Sequence, residues 1–368
     1  MKKLRIAQVA PLYESVPPRL YGGTERIVAY LTEELVRQGH EVTLFASGDS
    51  QTSARLVAPC ARALRLDPNG RDALAQHLMM IEEVLRRADE FDFIHFHVDY
   101  LHFPASSRQR VPHVTTLHGR LDLPDLVPLY QTFPEMPVVS ISDAQRKPLA
   151  WLNWQGTVHH GLPEDLHGCQ EEPEDYLAFL GRVSPEKRLD LAIEIASRAG
   201  LPLRIAAKVD RADADYYEEV IRPLLRRPGV EFLGEIGEGE KQTFLGRARA
   251  LLFPIDWPEP FGLVLIEAIA CGTPVIAFRR GSVPEVLDPG ETGFICSTVE
   301  EAVETVGRLP EISRLGCRRV FERRFTAARM ARDYVDIYRR EIEGAVDGRR
   351  DHSDQGTVLH PRHQLAGW

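Results

Sequence analysis

Short, wholly apolar runs recur along this chain with amphipathic stretches between them. Strands are expected over 4–10, 41–46, 91–98, 113–118 and 137–142, and helices near 24–38 and 72–88. Strands apolar on both faces and separated by helices belong to a parallel sheet covered on both sides. A polar, proline-bearing stretch over 161–175 interrupts the rhythm and reads as a linker. The scheme then repeats. Strands are expected over 176–180, 203–209, 230–234, 250–255, 274–278 and 293–296, with helices near 188–199, 213–225, 240–249 and 262–270.

The fold class is therefore α/β, with two Rossmann-like, doubly wound parallel-sheet domains facing a cleft. The expected division is 1–161 for a first domain and 162–325 for a second. Met330, Tyr334, Ile337 and Tyr338 recur at helical spacing, so a terminal crossover helix is expected over 326–343, returning to the first domain. A disordered tail is expected over 344–368, which is polar and aperiodic.

Composition narrows the function classes. At 368 residues, two domains of ordinary size are the natural division. A formal charge of -9 argues against nucleic acid as the main partner, because phosphate binding needs clustered Lys and Arg. No apolar run approaches the roughly 18 residues that span a bilayer, and Met1-Lys2-Lys3 leads directly into a strand, so a cytoplasmic protein is expected. The five cysteines form no CxxC pair.

In open α/β sheets, ligands bind beyond the carboxyl ends of the strands. Three loops qualify. In Tyr21-Gly22-Gly23-Thr24-Glu25-Arg26, bare glycine backbone at a helix start, with Thr24 as cap, suits a phosphate. Taken alone, Gly22-Gly23 also fits an ordinary glycine turn. In Gly181–Arg188, Arg182 supplies a planar fork and Lys187 a point charge for a diphosphate. In Trp257–Ala268, Glu259 stands between prolines as an acceptor for sugar hydroxyls. The amides of Phe261, Gly262 and Leu263 open a helix toward an anion, and Glu267 follows two turns on in an apolar stretch. A buried, unpaired carboxylate is costly, so Glu267 is expected to have a partner such as a ribose diol.

Glu259-Pro260-Phe261-Gly262 followed by Glu267 resembles the E-x7-E motif of family-4, group 1, retaining glycosyltransferases. The other segments are similar to that family's diphosphate-binding Arg and Lys and to its glycine loop, and the resemblance extends over roughly residues 4–340. It implies the GT-B architecture and a nucleotide diphosphate sugar as donor, with no cofactor and no metal. It also implies a front-face reaction that retains anomeric configuration. On this basis Asp213-Ala214-Asp215 is expected to start a helix and not to bind metal. His118 is similar to the family's active-site histidine, near donor sugar and acceptor. With Glu259, Arg182 and Lys187 it makes up the expected catalytic set. Where relatives carry Asn-Gly at the linker, this chain has His159-His160-Gly161, which leaves the contacts of His160 open.

His97, Asp99 and Tyr100, in a segment dense in His and aromatic residues, are expected on the acceptor side. A metal site from His95, His97 and Asp99 is the less favoured reading, because no further ligand spacing supports it. The acceptor is a small molecule, glycan or lipid-linked species. Membrane contact is not indicated by the mixed-charge helix near 72–88. UDP-glucose is the default donor, with GDP-mannose and ADP-glucose open. A nucleotide-sugar epimerase and a non-catalytic sugar-nucleotide binding protein remain alternatives. A NAD-dependent dehydrogenase is disfavoured, because Pro11 and a long loop follow the first strand in place of GxGxxG.

Overall fold

A computed structural model describes residues 3–20, 22–67 and 72–354, the side chains of Leu66 and 346–354 excepted. Tyr21 of the glycine loop and 355–368 of the expected tail lie outside the described residues.

The first domain holds β1 (Arg5–Val9), β2 (Glu41–Phe45), β3 (Arg55–Val57), β4 (Phe93–Phe96), β5 (His113–Thr116), β6 (Val138–Ser140) and β7 (Trp154–Thr157). They form one seven-stranded sheet in the order β3-β2-β1-β4-β5-β6-β7, with every pairing parallel. The second domain holds β8 (Leu177–Val183), β9 (Leu203–Val209), β10 (Val230–Gly234), β11 (Ala250–Phe253), β12 (Val275–Phe278) and β13 (Gly293–Cys296). These form a parallel six-stranded sheet in the order β10-β9-β8-β11-β12-β13. The strand order reverses at β1/β4 in one sheet and at β8/β11 in the other. A doubly wound sheet opens its crevice at that reversal, so the loops after β1, β4, β8 and β11 face one another.

The strands that fell outside the expected pattern, β3 and β7, are short edge strands with mixed polarity. Such strands need burial on only part of their surface. The strand expected to end at 180 continues to Val183, so Arg182 lies in the ladder, opposite Lys208. The helix expected over 213–225 is broken into Ala214–Tyr216, a π-turn Tyr217–Ile221, and Arg222–Leu224. Pro223 has no amide to donate and crowds the turn before it, which forces the ladder to widen there.

The terminal helix Ala327–Asp354 runs past the end expected at 343. Its interior glycines, Gly344 and Gly348, cost about 1 kcal/mol each relative to alanine, too little to stop a helix anchored upstream. Its Met330, Tyr334 and Tyr338 are buried with Ile6, Phe93 and Val114 in the first domain's core. The chain thus crosses twice between domains, and the two crossings pair through Leu162 N to Phe325 O at 2.9 Å and Ala327 N to Leu162 O at 2.7 Å. A Cβ on Gly161 would stand 2.3 Å from Thr326 O, so only glycine lets these strands of backbone meet. Among the described residues, no helix is long and apolar enough to cross a membrane.

Candidate functional site

The charged wall of the cleft belongs to the second domain. β8 delivers Arg182, and a single 3-10 turn, Pro185–Lys187, delivers Lys187. Lys187 forms an ion pair with Glu259, and its ammonium stands 4.9 Å from the Trp257 ring centre. Trp257 Nε1 donates to Glu259 Oε2 at 3.1 Å, and Glu259 is only 8% exposed. The prolines do not hold this loop alone. Ser282 N donates to Glu259 O at 3.0 Å, and a Cβ on Gly281, at φ +49, would collide with Glu259 backbone at 2.3 Å. Arg182 reaches Glu186 at 3.0 Å, Asp213 at 3.4 Å and Asp210 at 3.8 Å. Both cations expected to meet a diphosphate are therefore already balanced by carboxylates, and an incoming anion competes for them. Asp213 precedes a helical turn as expected and is also one of Arg182's partners.

Glu267 is buried on the helix Leu263–Ala270, and it has a partner within the protein. Lys241 Nζ, on the helix Glu238–Gly246, lies 2.7 Å from Glu267 Oε1. Burial pushes this carboxyl up, but Lys241 and then Arg26 outweigh it and hold it below the usual range. Nothing in the local sequence marks Lys241, because its helix carries little apolar periodicity. His167, Glu238 and Glu267 bring ligand atoms within 4.8 Å of one another, a spacing compatible with a metal ion. Lys241 stands 3.2 Å from Glu238 as well, and Arg26 of the first domain pairs with Glu238, so cationic side chains already fill that role.

Two helix N-termini open on the cleft from opposite sides. The helix Leu263–Ala270 starts two residues later than expected from Phe261, because Gly262 adopts a left-handed conformation, φ 79, as its N-cap. The helix Gly23–Arg37 has Gly22 as N-cap, which puts Thr24 inside the first turn and removes it as the cap. A Cβ on Gly23 would touch Leu263 Cδ1 at 3.5 Å, so the two helix starts meet across the domain boundary. The first-turn amides of a helix have no partner within its own backbone, which favours an anion between the two starts.

On the first domain's wall the groups around His118 are uncharged, while Glu14, Glu25, Arg26 and Arg65 border the same cavity. His118 follows β5, and burial drives its pKa down to about 3. His97 Nδ1 lies 2.9 Å from His118 Nε2, and the His160 ring stacks on His118 at 5.4 Å and 17°. His160 then meets the Phe261 ring edge-on at 4.9 Å. His95, His97 and His160 are held neutral chiefly by burial. His95 bonds Tyr338 and Thr116 at 2.7 Å each, and His97 bonds Gln8 at 2.8 Å, so their ring nitrogens are taken up by protein and not available to a metal with Asp99. Asp99 has φ 48, unusual for a residue other than glycine, and opens onto the cleft. Its side chain is exposed to the cleft, so solvent moderates the rise to about 6 that the surrounding protein gives its carboxyl against a hydrogen bond from the His118 amide. Tyr100 borders the same space and packs edge-on against Tyr130.

One cavity of about 670 Å³ collects the residues expected to act in catalysis, donor binding and acceptor binding: Gly22, Gly23, His97, Asp99, Tyr100, His118, His160, Arg182, Lys187, Glu259, Phe261, Gly262, Leu263 and Glu267. It also includes Glu14, Glu25, Arg65, Lys208 and Lys241, which the sequence reading missed. Glu25 was within sight, since it follows the paired glycines and Thr24 directly.

Comparison with known proteins agrees with this architecture. The family profile for glycosyl transferases group 1 matches residues 169–314, and that for glycosyltransferase family 4 matches 21–156. An uncharacterised glycosyltransferase of Methanocaldococcus jannaschii is 25% identical over 330 residues, spanning 77% of this chain and 83% of the relative. Among solved structures, AviGT4, a glycosyltransferase involved in avilamycin A biosynthesis, superimposes with a TM-score of 0.72 at 28% identity, covering 93% of this chain and 98% of that one. An Anabaena protein solved in complex with UDP-glucose superimposes with a TM-score of 0.66 at 18% identity, covering 94% of this chain and 100% of that one. The fold is GT-B.

Proposed function

From a chain that belongs to the group 1, family-4 glycosyltransferases, we propose a retaining transferase that moves a hexose from a nucleotide diphosphate sugar to an acceptor hydroxyl without metal. The observation that carries this reading is the Lys187–Glu259 pair at the start of the helix Leu263–Ala270, in the same cavity as His118.

The donor diphosphate takes the place of carboxylate partners at Lys187 and Arg182 and sits between the two helix N-termini, which together offset its charge. Glu259, released from Lys187, orients the sugar hydroxyls. Glu267 accepts from the ribose diol while Lys241 keeps it ionised. At the anomeric carbon the bond to the phosphate oxygen breaks as the bond to the acceptor oxygen forms on the same face. The departing phosphate oxygen takes the acceptor proton, so no carboxylate serves as nucleophile. His118 contributes a neutral imidazole for hydrogen bonding beside the reacting carbon. The acceptor enters from the side of Asp99 and Tyr100. The free thiols of all five cysteines accord with a reducing, cytoplasmic setting.

UDP-glucose is the donor proposed for first trial, in keeping with the fold shared with the UDP-glucose-bound Anabaena protein. Thermal-shift measurements with UDP-glucose, GDP-mannose and ADP-glucose test this, because a ligand that binds only the folded chain raises its midpoint. A shift with one of them, followed by nucleotide release that depends on an added acceptor, is expected. No shift with any nucleotide sugar overturns the reading, and an epimerised sugar formed from donor alone would favour the epimerase.

A further inference from the structure

The first domain's core contains a continuous chain of side-chain hydrogen bonds that ends at His118. Gln8, wholly buried on β1, has its Nε2 3.2 Å from Tyr338 OH and its Oε1 2.8 Å from His97 Nε2. Tyr338 OH lies 2.7 Å from His95 Nδ1, His95 Nε2 lies 2.7 Å from Thr116 Oγ1, and Thr116 Oγ1 lies 2.9 Å from Tyr334 OH. Tyr334 and Tyr338 both belong to the terminal helix Ala327–Asp354. His97 Nδ1, 2.9 Å from His118 Nε2, closes the chain at the cleft.

The donor and acceptor order follows from Gln8. Its NH2 donates to Tyr338, so its carbonyl oxygen accepts from His97 Nε2–H. A neutral imidazole has one N–H and one lone pair, which leaves His97 Nδ1 as an acceptor. His118 Nε2 therefore carries the proton that it donates to His97, and His118 Nδ1 keeps its lone pair. At the far end, Tyr338 donates to His95 Nδ1, and His95 Nε2–H donates to Thr116. Every member of the chain is satisfied in this order. The exception is His118 Nδ1, which is buried and has no partner among the described residues.

We infer that His97, anchored through Gln8 to Tyr338 of the terminal helix, is a positioning residue that fixes the tautomer of His118 and leaves its Nδ1 as a hydrogen-bond acceptor for a hydroxyl in the cleft. The inference deepens the proposed transferase reading and rests on it for the identity of that hydroxyl. The tautomer itself does not depend on it. Burial of both rings keeps them neutral, so the arrangement does not titrate away near neutrality. The terminal helix thereby acquires a part in the reaction centre besides covering the core.

The test combines a spectroscopic and a kinetic readout on the full chain. With 15N-labelled histidine, long-range proton–nitrogen correlations at neutral pH are expected to show His118 protonated on Nε2 and bare at Nδ1. In His97→Phe the preference is lost, and kcat falls at least about tenfold while the donor KM stays within about twofold, because a wrong tautomer is costly without weakening binding. In His97→Asn an amide oxygen takes the place of Nδ1, restoring both the tautomer and most of kcat. Tyr338→Phe, a milder change far from the cleft, weakens the preference even if His97→Phe does not fold. A proton on Nδ1 of His118 in the unaltered chain overturns the inference. So does a tautomer that is the same in every variant, or one that changes with no change in kcat. Where no nucleotide sugar supports transfer, the proposed function fails, while the nitrogen signals still decide the tautomer.

Discussion

The two walls of the cleft handle polar groups in opposite ways. On the second domain's wall they are charged and matched: Lys187 with Glu259, Lys241 with Glu267, and Arg182 with Glu186, Asp210 and Asp213. Around His118 on the first domain's wall they are neutral and linked, with Glu14, Glu25, Arg26 and Arg65 elsewhere on that wall: His118, His97 and His95 run through Gln8 and Thr116 to tyrosines of the terminal helix. Paired charges exchange partners when an anion arrives and so suit a diphosphate. A buried neutral network has little freedom to rearrange, because each broken hydrogen bond leaves an unsatisfied group costing about 1–3 kcal/mol. The histidine cluster of the first wall therefore supplies direction, and the matched pairs of the second supply exchangeable charge.

The strongest challenge to this division is the Lys187–Glu259 pair. Lys187→Ala and Glu259→Ala are each expected to lower the saturated rate of nucleotide release by on the order of 1,000-fold, and the double variant by about the same, since the two act as a unit. Fully multiplicative losses would mean that the pair is not one device. On the neutral wall, His118→Ala is expected to reduce kcat by about 100-fold. Calorimetry should find donor affinity changed by no more than about twofold if that wall contributes direction and not charge.

Lys241→Met sharpens the contrast through stability. It leaves Glu267 buried with only the more distant Arg26 to balance it, and chemical denaturation should record a loss of about 2 kcal/mol. If the midpoint is unchanged, Glu267 does not depend on Lys241.

The smallest expected effect concerns pH. The Asp99 carboxyl is raised to about 6, so between its ordinary value of 3.8 and that value the folded chain holds a proton that the unfolded chain has released. Stability from this group is therefore present at low pH and lost as pH rises through about 6. Asp99→Asn should raise the thermal midpoint slightly in mildly alkaline buffer and leave it unchanged in acid below the carboxyl's ordinary range. The histidines act in the opposite sense. His118 is lowered from 6.5 to about 3, so the unfolded chain takes up a proton first and stability falls as pH drops below 6.5. An Asp99→Asn effect of equal size at both pH values would show that the carboxyl is not perturbed.

Much of this was legible in one dimension. Strands β9, β10 and β13 fall at the expected bounds: β9 and β13 are mostly buried runs that end where turn residues begin, and the half-exposed edge strand β10 ends at Gly234. Glu259, Lys187, Arg182 and His118 were found because each lies at a strand end or helix start, positions that a periodic pattern locates well. Lys241, Arg26 and the partners of Arg182 were not. Apart from Glu186, four residues from Arg182, each lies on an element distant in sequence from its partner, and a single basic residue on a polar helix looks the same whether it faces solvent or a buried carboxylate. The strand β7 and the broken helix over 214–224 were obscured by mixed polarity and by Pro223.

What the sequence determined by itself is the alternation of strand and helix, the place where one domain yields to the next, and the loops that carry glycine, proline and charge. These follow from local propensity and from which residues tolerate burial. What only the tertiary structure decided is who pairs with whom across the cleft. The sequence leaves the partner of Glu267 unidentified and His97 as an acceptor-side candidate, whereas the fold gives the first Lys241 and makes the second the link between Gln8 and His118. The reason is physical: the cost of a buried charge or an unmet hydrogen bond depends on atoms brought within about 3 Å, and residues hundreds of positions apart reach that distance only once both sheets and the terminal helix have packed.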